Sequence, residues 1–219
     1  MFVSEEQTGG KGRLGRSWAS PPGTGLWFSV LLRPGLLPAR IPVTTLLAGL
    51  AVTRAVRSLT GCDARIKWPN DVVIGGKKVC GILTEMTAEI DRVEFVVVGI
   101  GVNVNNDEFP AEIREKATSL KLETGGPVRR VRLLQEILPQ FETLLRQEAD
   151  SVSELRKEYK SLCVSLGRRV GFTKNGAPVS GTAVDVSPEG NLIVLLPDGS
   201  RQTVTSGEVV VQGIYGQKF

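Results

Sequence analysis

The sequence predicts an α+β chain in two parts. A mixed or antiparallel sheet with flanking helices occupies residues 1–165, and a small SH3-like β-barrel occupies residues 166–219. Three observations carry this reading. β-type runs in the middle of the chain are joined by tight turns and not by helices, which excludes a doubly wound parallel sheet. Helix-periodic apolar runs lie before and after them. Beyond Leu166 the texture changes to short runs punctuated by glycine.

Taken in order, residues 25–32 (Gly-Leu-Trp-Phe-Ser-Val-Leu-Leu) follow the turn Pro21-Pro22-Gly23 and read as a buried strand. Pro34, Gly35 and Pro38 stop it. Over residues 41–59, Leu46, Leu47, Leu50, Val52 and Val56 recur near helical spacing, with Pro42 just inside the start and Gly61 just past the end. Residues 63–67 form a short strand that runs into the turn Pro69-Asn70-Asp71. Residues 72–74 and 79–84 flank Gly75-Gly76, a hairpin signature, and residues 92–98 are a further strand that ends at Gly99-Ile100-Gly101-Val102-Asn103. Residues 133–146 and 153–162 are amphipathic helices, the second with Ser151 or Ser153 as its cap. Five short strands follow at 169–173, 179–186, 192–196, 202–205 and 209–211, with turns at Lys174-Asn175-Gly176, Ser187 to Asn191 and Pro197 to Ser200. No low-complexity linker intervenes, so the two parts are expected to pack together.

Composition bounds the chemistry. Hydrophobic residues make up 41% and charged residues 23% of the 219, as in a globular protein. The N-terminus turns acidic at once and the longest apolar run is broken by Thr44, Thr45, Thr53 and Arg54, so a cytoplasmic protein without a membrane segment is expected. Cys62, Cys80 and Cys163 are odd in number and widely spaced, which suggests buried thiols and no metal site. Histidine is absent. Ser-His-Asp and Cys-His hydrolases, HExxH metalloproteases and protein kinases are thereby excluded. The net charge of +4 and pI near 9.1 fit a polyanionic partner or a nucleotide equally well.

Two clusters could carry chemistry. Residues 7–18, Gln-Thr-Gly-Gly-Lys-Gly-Arg-Leu-Gly-Arg-Ser-Trp, set backbone amides that glycine lets turn freely beside Lys11, Arg13 and Arg16. Such a loop suits a phosphate, although a Gly/Arg-rich dozen residues is also what a solvated loop looks like. Its GxGxxG is not a dinucleotide fingerprint, because Arg16 to Pro22 cannot start a helix. The second cluster is Lys67-Trp68-Pro69-Asn70-Asp71 with Lys78-Val79-Cys80-Gly81-Ile82-Leu83-Thr84-Glu85, in which two lysines, an amide and a carboxylate gather about a turn and a hairpin. Trp68 before a proline reads as core.

Together, Gln-x-x-Gly-Lys-Gly-Arg-x-Gly-Arg-x-Trp, Gly-x-Gly-Leu-Trp-Phe-Ser, Lys-Trp-Pro-Asn-Asp, Lys-Val-x-Gly-Ile-Leu-x-Glu and Gly-Ile-Gly-Val-Asn resemble the biotin protein ligase family in order and spacing. The resemblance runs from about residue 5 to residue 106 and resumes in the C-terminal barrel. It implies the class II synthetase-like biotin/lipoate ligase fold, with ATP, Mg2+ and biotin as ligands, a biotinyl-5′-AMP intermediate, and a lysine of a biotin carboxyl carrier domain of a biotin-dependent carboxylase as acceptor. Phosphoryl displacement needs charge neutralisation more than proton transfer, so lysine and arginine suffice without histidine.

By motif, the resemblance implies Lys78, Arg13 and Asp71 as the catalytic set. Lys78 would hold the biotin carboxylate beside the α-phosphate, and Asp71 would orient, or take a proton from, the incoming amine. Gln7, Gly10, Arg13, Lys78 and Gly81 would border biotin, and Gly12, Gly15, Arg16, Trp18, Lys67, Asn70 and Asn103 the nucleotide. The family's Ser/Thr-rich biotin-binding segment upstream of the Gln-x-x-Gly motif has no counterpart in residues 1–6. A missing strand there would leave a sheet edge open to pairing with a second copy. The repressor-type DNA-binding helices are likewise not found, so no DNA partner is expected. A lipoate or octanoyl ligase or transferase of the same superfamily is the alternative within enzymes, and a non-catalytic nucleic-acid-binding module is the alternative outside them.

Overall fold

The computed structural model describes residues 1–33, 38–88, 93–147, 152–205 and 207–217. Among these residues, eleven strands and four α-helices follow in the order β1 (Phe2–Ser4), β2 (Leu26–Leu32), α1 (Ile41–Thr60), β3 (Arg65–Lys67), β4 (Asp71–Ile74), β5 (Lys77–Ala88), β6 (Val93–Val102), α2 (Leu120–Thr124), α3 (Arg130–Gln147), α4 (Val152–Leu162), β7 (Arg169–Lys174), β8 (Ala177–Val186), β9 (Leu192–Leu195), β10 (Arg201–Val204) and β11 (Val210–Val211). The first six strands form one antiparallel sheet in the order β1-β2-β6-β5-β4-β3, and the last five form a second in the order β10-β9-β8-β7-β11.

Local chemistry accounts for most of these elements. Gly75 and Gly76 both take positive φ, as a two-residue hairpin requires, and pair Ile74 with Lys77 across the turn. α1 has Pro42 in its first turn and ends at Gly61, whose left-handed backbone returns its N–H to Arg57 O. Leu50, Val52 and Val56 on α1 are fully buried against Ile66, Ile82 and the valines of β6. Truncating Leu50 to alanine would cost about 2–5 kcal/mol. α3 packs along α1 on the outside, and Arg54 bonds both Gln140 of α3 and Glu158 of α4.

The structure departs from the sequence reading in several places. β6 does not end before the glycines but runs through Gly99 and Gly101 to Val102, because pairing to β2 on one side and β5 on the other outweighs glycine's reluctance in strands. β1 and the short α2 lie outside the elements that the sequence predicts; Ser119 caps α2 by accepting from Leu122 N. Ser153 lies inside α4, so it is not a cap, and Ser151 lies outside the described residues, as do Pro34, Gly35 and Arg92. Cys62 is only partly buried, while Cys80 and Cys163 are buried; all three are free.

The two sheets meet at the Lys-Trp-Pro-Asn-Asp segment. Val164 N donates to Ile66 O at 2.8 Å, Ser165 Oγ accepts from Trp68 N at 3.1 Å, and the Trp68 indole N–H donates to Gly190 O at 2.9 Å. Trp68 is thus core, as expected, and a strut between the sheets. No helix among the described residues is long and apolar enough to cross a membrane.

Candidate active site

The floor of the site is a patch of sheet without side chains. Along β5 and β6, Cys80, Ile82, Val98, Ile100 and Val102 are buried in the core that α1 covers. Alternation therefore sends Gly81, Gly99 and Gly101 to the opposite face. Register sets Gly81 across from Gly101, and Gly101 across from Trp27. The Trp18 indole lies on this pair: a Cβ at Gly101 would stand 2.7 Å from its Nε1, and one at Gly81 2.8 Å from its Cζ3. Trp27 meets the same indole edge-on, with centroids 6.3 Å apart.

Trp18 arrives at the end of the Gly/Arg-rich loop, which folds as a narrow ribbon. Gln7 pairs with Ser20 and Lys11 with Ser17, and Trp18 N donates to Gly10 O at 2.8 Å. Gly10 is required by close packing, since a Cβ there would lie 2.4 Å from Trp18 O. The tip turns at Leu14 and Gly15, both at positive φ. From the tip, Arg13 donates to Asn70 Oδ1 at 2.8 Å and to Gly207 O at 3.1 Å, and Arg16 pairs with Glu208 at 2.5 Å. The ribbon therefore spans from the first sheet to the barrel.

Lys78 reaches the site through an irregularity in the sheet. Val72 pairs with Cys80 but Val73 with Lys78, so Val79 is an extra residue, a bulge, in β5. Strict alternation would place Lys78 on the buried face with Cys80 and Ile82. The bulge buries Val79 instead and turns Lys78 to the cavity, 5.1 Å over the Trp18 ring. Its Nζ stands 2.5 Å from Asp71 Oδ1, an ion pair whose angles fall short of a hydrogen bond. Asp71 Oδ2 accepts from Tyr215 Oη at 2.7 Å. Burial alone would push the Asp71 carboxyl up, but the Lys78 and Lys67 ammonium groups and the Tyr215 hydroxyl outweigh it and hold it below the usual range. Lys67, buried, donates to Val209 O at 3.0 Å and lies 5.2 Å over the Tyr215 ring; desolvation lowers its pKa.

Two cavities open here. The larger, of about 330 Å³, is lined by Arg13, Arg16, Lys67, Asp71, Asn103 and Tyr215 among others. Asn106 also faces it, and its Oδ1 has no hydrogen-bond partner among the described residues. The smaller, of about 170 Å³, is lined by Gln7, Ser29, Gly81, Leu83, Glu85 and Gly99 among others. Gly12, Arg13, Trp18, Asn70 and Lys78 line both, so the predicted basic and amide residues form the boundary between them. Gly10 and Gly15, expected at the ligands, line neither cavity: one is consumed by packing within the ribbon and the other by its turn. Sequence reading missed Ser29, Glu85, Glu208 and Tyr215. Ser29 and Glu85 could have been found from strand alternation, whereas Glu208 and Tyr215 come from the segments on either side of β11 and carry no local signal. Among the described residues, no group of three or more His, Cys, Asp or Glu side chains could hold a metal ion.

Comparison with known proteins identifies the family. Residues 1–103 match the Biotin/lipoate A/B protein ligase family, and residues 165–211 the Biotin protein ligase C terminal domain. The chain is 37% identical to the bifunctional ligase/repressor BirA of Bacillus spizizenii over 92% of its own length but spans only 63% of that relative. It is 34% identical to the biotin--[acetyl-CoA-carboxylase] ligase of Mycobacterium tuberculosis, over 96% of this chain and 78% of the relative. The biotin protein ligase from Aquifex aeolicus, solved in complex with biotin and ATP, superposes with a TM-score of 0.84 at 34% identity, covering 96% of this chain and 87% of that one. The chain belongs to the biotin protein ligase family.

Proposed function

We propose that the chain joins biotin to a lysine of a biotin carboxyl carrier domain through biotinyl-5′-AMP, using ATP. One observation carries the reading: two cavities of different character share a wall made of Arg13, Trp18, Asn70 and Lys78. The smaller combines apolar Leu83 and Val97 with polar Gln7, Ser29 and Glu85, which suits an acyl chain with a polar head. The larger gathers Arg13, Arg16, Lys67 and Lys78, which suits a triphosphate. The relative from Aquifex aeolicus was solved with biotin and ATP together.

In the first step, a biotin carboxylate oxygen attacks the α-phosphorus of ATP. The new P–O bond forms as the bond to pyrophosphate breaks, and the electron pair leaves on pyrophosphate. Lys78 at the boundary neutralises the two anions as they meet, with Arg13 on the other side of the same wall; Arg16 and Lys67 hold the remaining phosphates. Bound Mg2+ would supply further charge neutralisation; among the described residues no group of three or more acidic, cysteine or histidine side chains could hold it, so its ligands would come mainly from the phosphates. In the second step, the acceptor amine, oriented by Asp71, attacks the acyl carbon and AMP leaves. The ribbon closes over the intermediate and excludes water, which would otherwise hydrolyse it. The work is done in the cytoplasm. The exposed Phe2 and Val3 of edge strand β1 offer a second copy a place to pair.

The test is pyrophosphate exchange into ATP with biotin, with lipoate and with neither. Exchange that depends on biotin is expected. Exchange with lipoate but not biotin would assign the chain to the lipoate branch, and no exchange with either would overturn the reading.

A further inference from the structure

The C-terminal segment puts a hydroxyl into the site at a cost in backbone strain. Tyr215 takes φ of 56°, a left-handed conformation that bulky residues rarely adopt. The surroundings hold it there. Its N–H donates to Gly76 O in the β4–β5 turn at 3.0 Å, and Gly213 N donates to Gln217 O at 2.9 Å across the segment. Gly213 and Gly216 absorb the neighbouring positive φ values of 77° and 69°. The outcome is a phenol whose ring lies beneath Lys67 and whose oxygen is 2.7 Å from Asp71 Oδ2. Tyr215 lies beyond the residues matched by the C-terminal family model, which end at 211.

Docking the barrel does not require that hydroxyl. The backbone bond to Gly76 O and the contact of the ring with Lys67 would serve with phenylalanine; the one bond lost is that to the buried Asp71 Oδ2. What the hydroxyl does is divide the Asp71 carboxylate. Oδ2 accepts from Tyr215, which orients the carboxylate, and Oδ1 lies 2.5 Å from Lys78 Nζ.

Building on the ligase reading above, we propose that Tyr215 is a positioning residue for the amide-forming step. It fixes Asp71 so that Oδ1, freed when Lys78 turns to the biotin carboxylate, accepts a hydrogen bond from the acceptor lysine's amine and aims its lone pair at the acyl carbon. The amine enters neutral, having lost one proton to solvent. The C–N bond forms as the C–O bond to the α-phosphate breaks, AMP leaves with the electron pair, and the second proton of the new amide nitrogen passes to solvent. The role falls on amide formation, whereas the attack on phosphorus reaches Tyr215 only through the Asp71–Lys78 pair, so the transfer half-reaction should suffer more.

The test is Tyr215→Phe in the full chain, with each half-reaction measured by itself. Single-turnover transfer from biotinyl-5′-AMP to a carrier domain should slow about tenfold with the KM for the carrier unchanged, a larger loss than any in biotin-dependent pyrophosphate exchange. In an Asp71→Asn background the same substitution should cause no further loss. Equal slowing of both half-reactions would mark a merely structural role, and unchanged transfer would remove any role; either result overturns the inference. Absence of biotin-dependent exchange in the unsubstituted chain would instead overturn the ligase reading itself.

Should Tyr215→Phe not fold, a titration tests the contact directly. The chain has two tyrosines, Tyr159 and Tyr215, so Tyr159→Phe leaves Tyr215 as the only phenol to follow by ultraviolet absorbance. Burial and the Asp71 carboxylate both hold that phenol well above its ordinary value. Adding Asp71→Asn should lower its midpoint. An unmoved midpoint would show that the two groups are not in contact and would overturn the inference.

Discussion

Replacing Gly101 with alanine tests whether the bare floor of the site exists to seat Trp18. The position has no positive φ, so alanine brings no backbone strain of its own. Its Cβ would stand 2.7 Å from Trp18 Nε1 and 2.8 Å from Cε2, about 0.8 Å inside the separation at which such atoms attract. Strand β6 is held on both edges and cannot yield, whereas Trp18 ends a ribbon that can. Overpacking costs about 1–3 kcal/mol when the surroundings are rigid. Here the indole, held by the ribbon and not by the sheet ladder, gives way, and the smaller end of that range, about 1.4 kcal/mol, appears as a tenfold rise in the KM for ATP. The other two tryptophans, Trp27 and Trp68, are each 1% exposed, so a red shift in emission reports Trp18 leaving its seat. Gly99→Ala is the control, because a Cβ there meets nothing nearer than 3.5 Å. An unchanged spectrum and KM, or the same change from Gly99→Ala, would refute the seat.

Four further outcomes follow from the geometry. Lys78→Ala should lower the rate of biotin-dependent pyrophosphate exchange by about 10²–10³, and near-normal exchange would remove Lys78 from the phosphoryl step. Because the Asp71 carboxyl is held below its unfolded value, its contribution to stability is complete above the ordinary carboxylate range and is lost as pH falls through the folded value. The difference in melting temperature between the unsubstituted chain and Asp71→Asn should therefore shrink below about pH 4, and a constant difference would contradict the pairing. The Arg16–Glu208 pair is largely exposed, at 65% and 51%, so Glu208→Gln should change unfolding free energy in urea by less than about 1 kcal/mol; a larger loss would make the ribbon-to-barrel contact structural. The Tyr159 hydroxyl is buried without a partner among the described residues, so Tyr159→Phe should be neutral or raise stability by up to about 1 kcal/mol, and a loss of that size would reveal a partner.

Legibility in the sequence followed the range of the forces involved. The helix at Ile41–Thr60 and the hairpin at Gly75-Gly76 depend on caps, positive φ and apolar spacing within a few residues, so both could be read directly. The end of β6 could not, since whether a strand continues through Gly99 and Gly101 depends on partners far away in sequence, at β2 and β5. The same contrast runs through the site. Arg13, Arg16, Lys67, Asn70, Asp71 and Lys78 stand out because cations, an amide and a carboxylate cluster along the chain. Glu208 and Tyr215 do not, because nothing within their own neighbourhoods calls for an acid or a phenol.

By itself, the sequence determined the chemistry open to this protein: a chain without histidine, with arginines and lysines set among glycines, can neutralise phosphates but not relay protons through imidazole. It also determined the two-part α+β architecture, through periodicities and turns that act over a few residues. The tertiary structure alone decided where that chemistry is assembled. A one-residue bulge at Val79 turns Lys78 out of the core and into the cavity, paired glycines on adjacent strands clear a seat for Trp18, and the barrel lends Tyr215 to Asp71 across 144 residues of chain. Each depends on register between segments distant in sequence, and register is set by packing of the whole sheet rather than by any stretch of it.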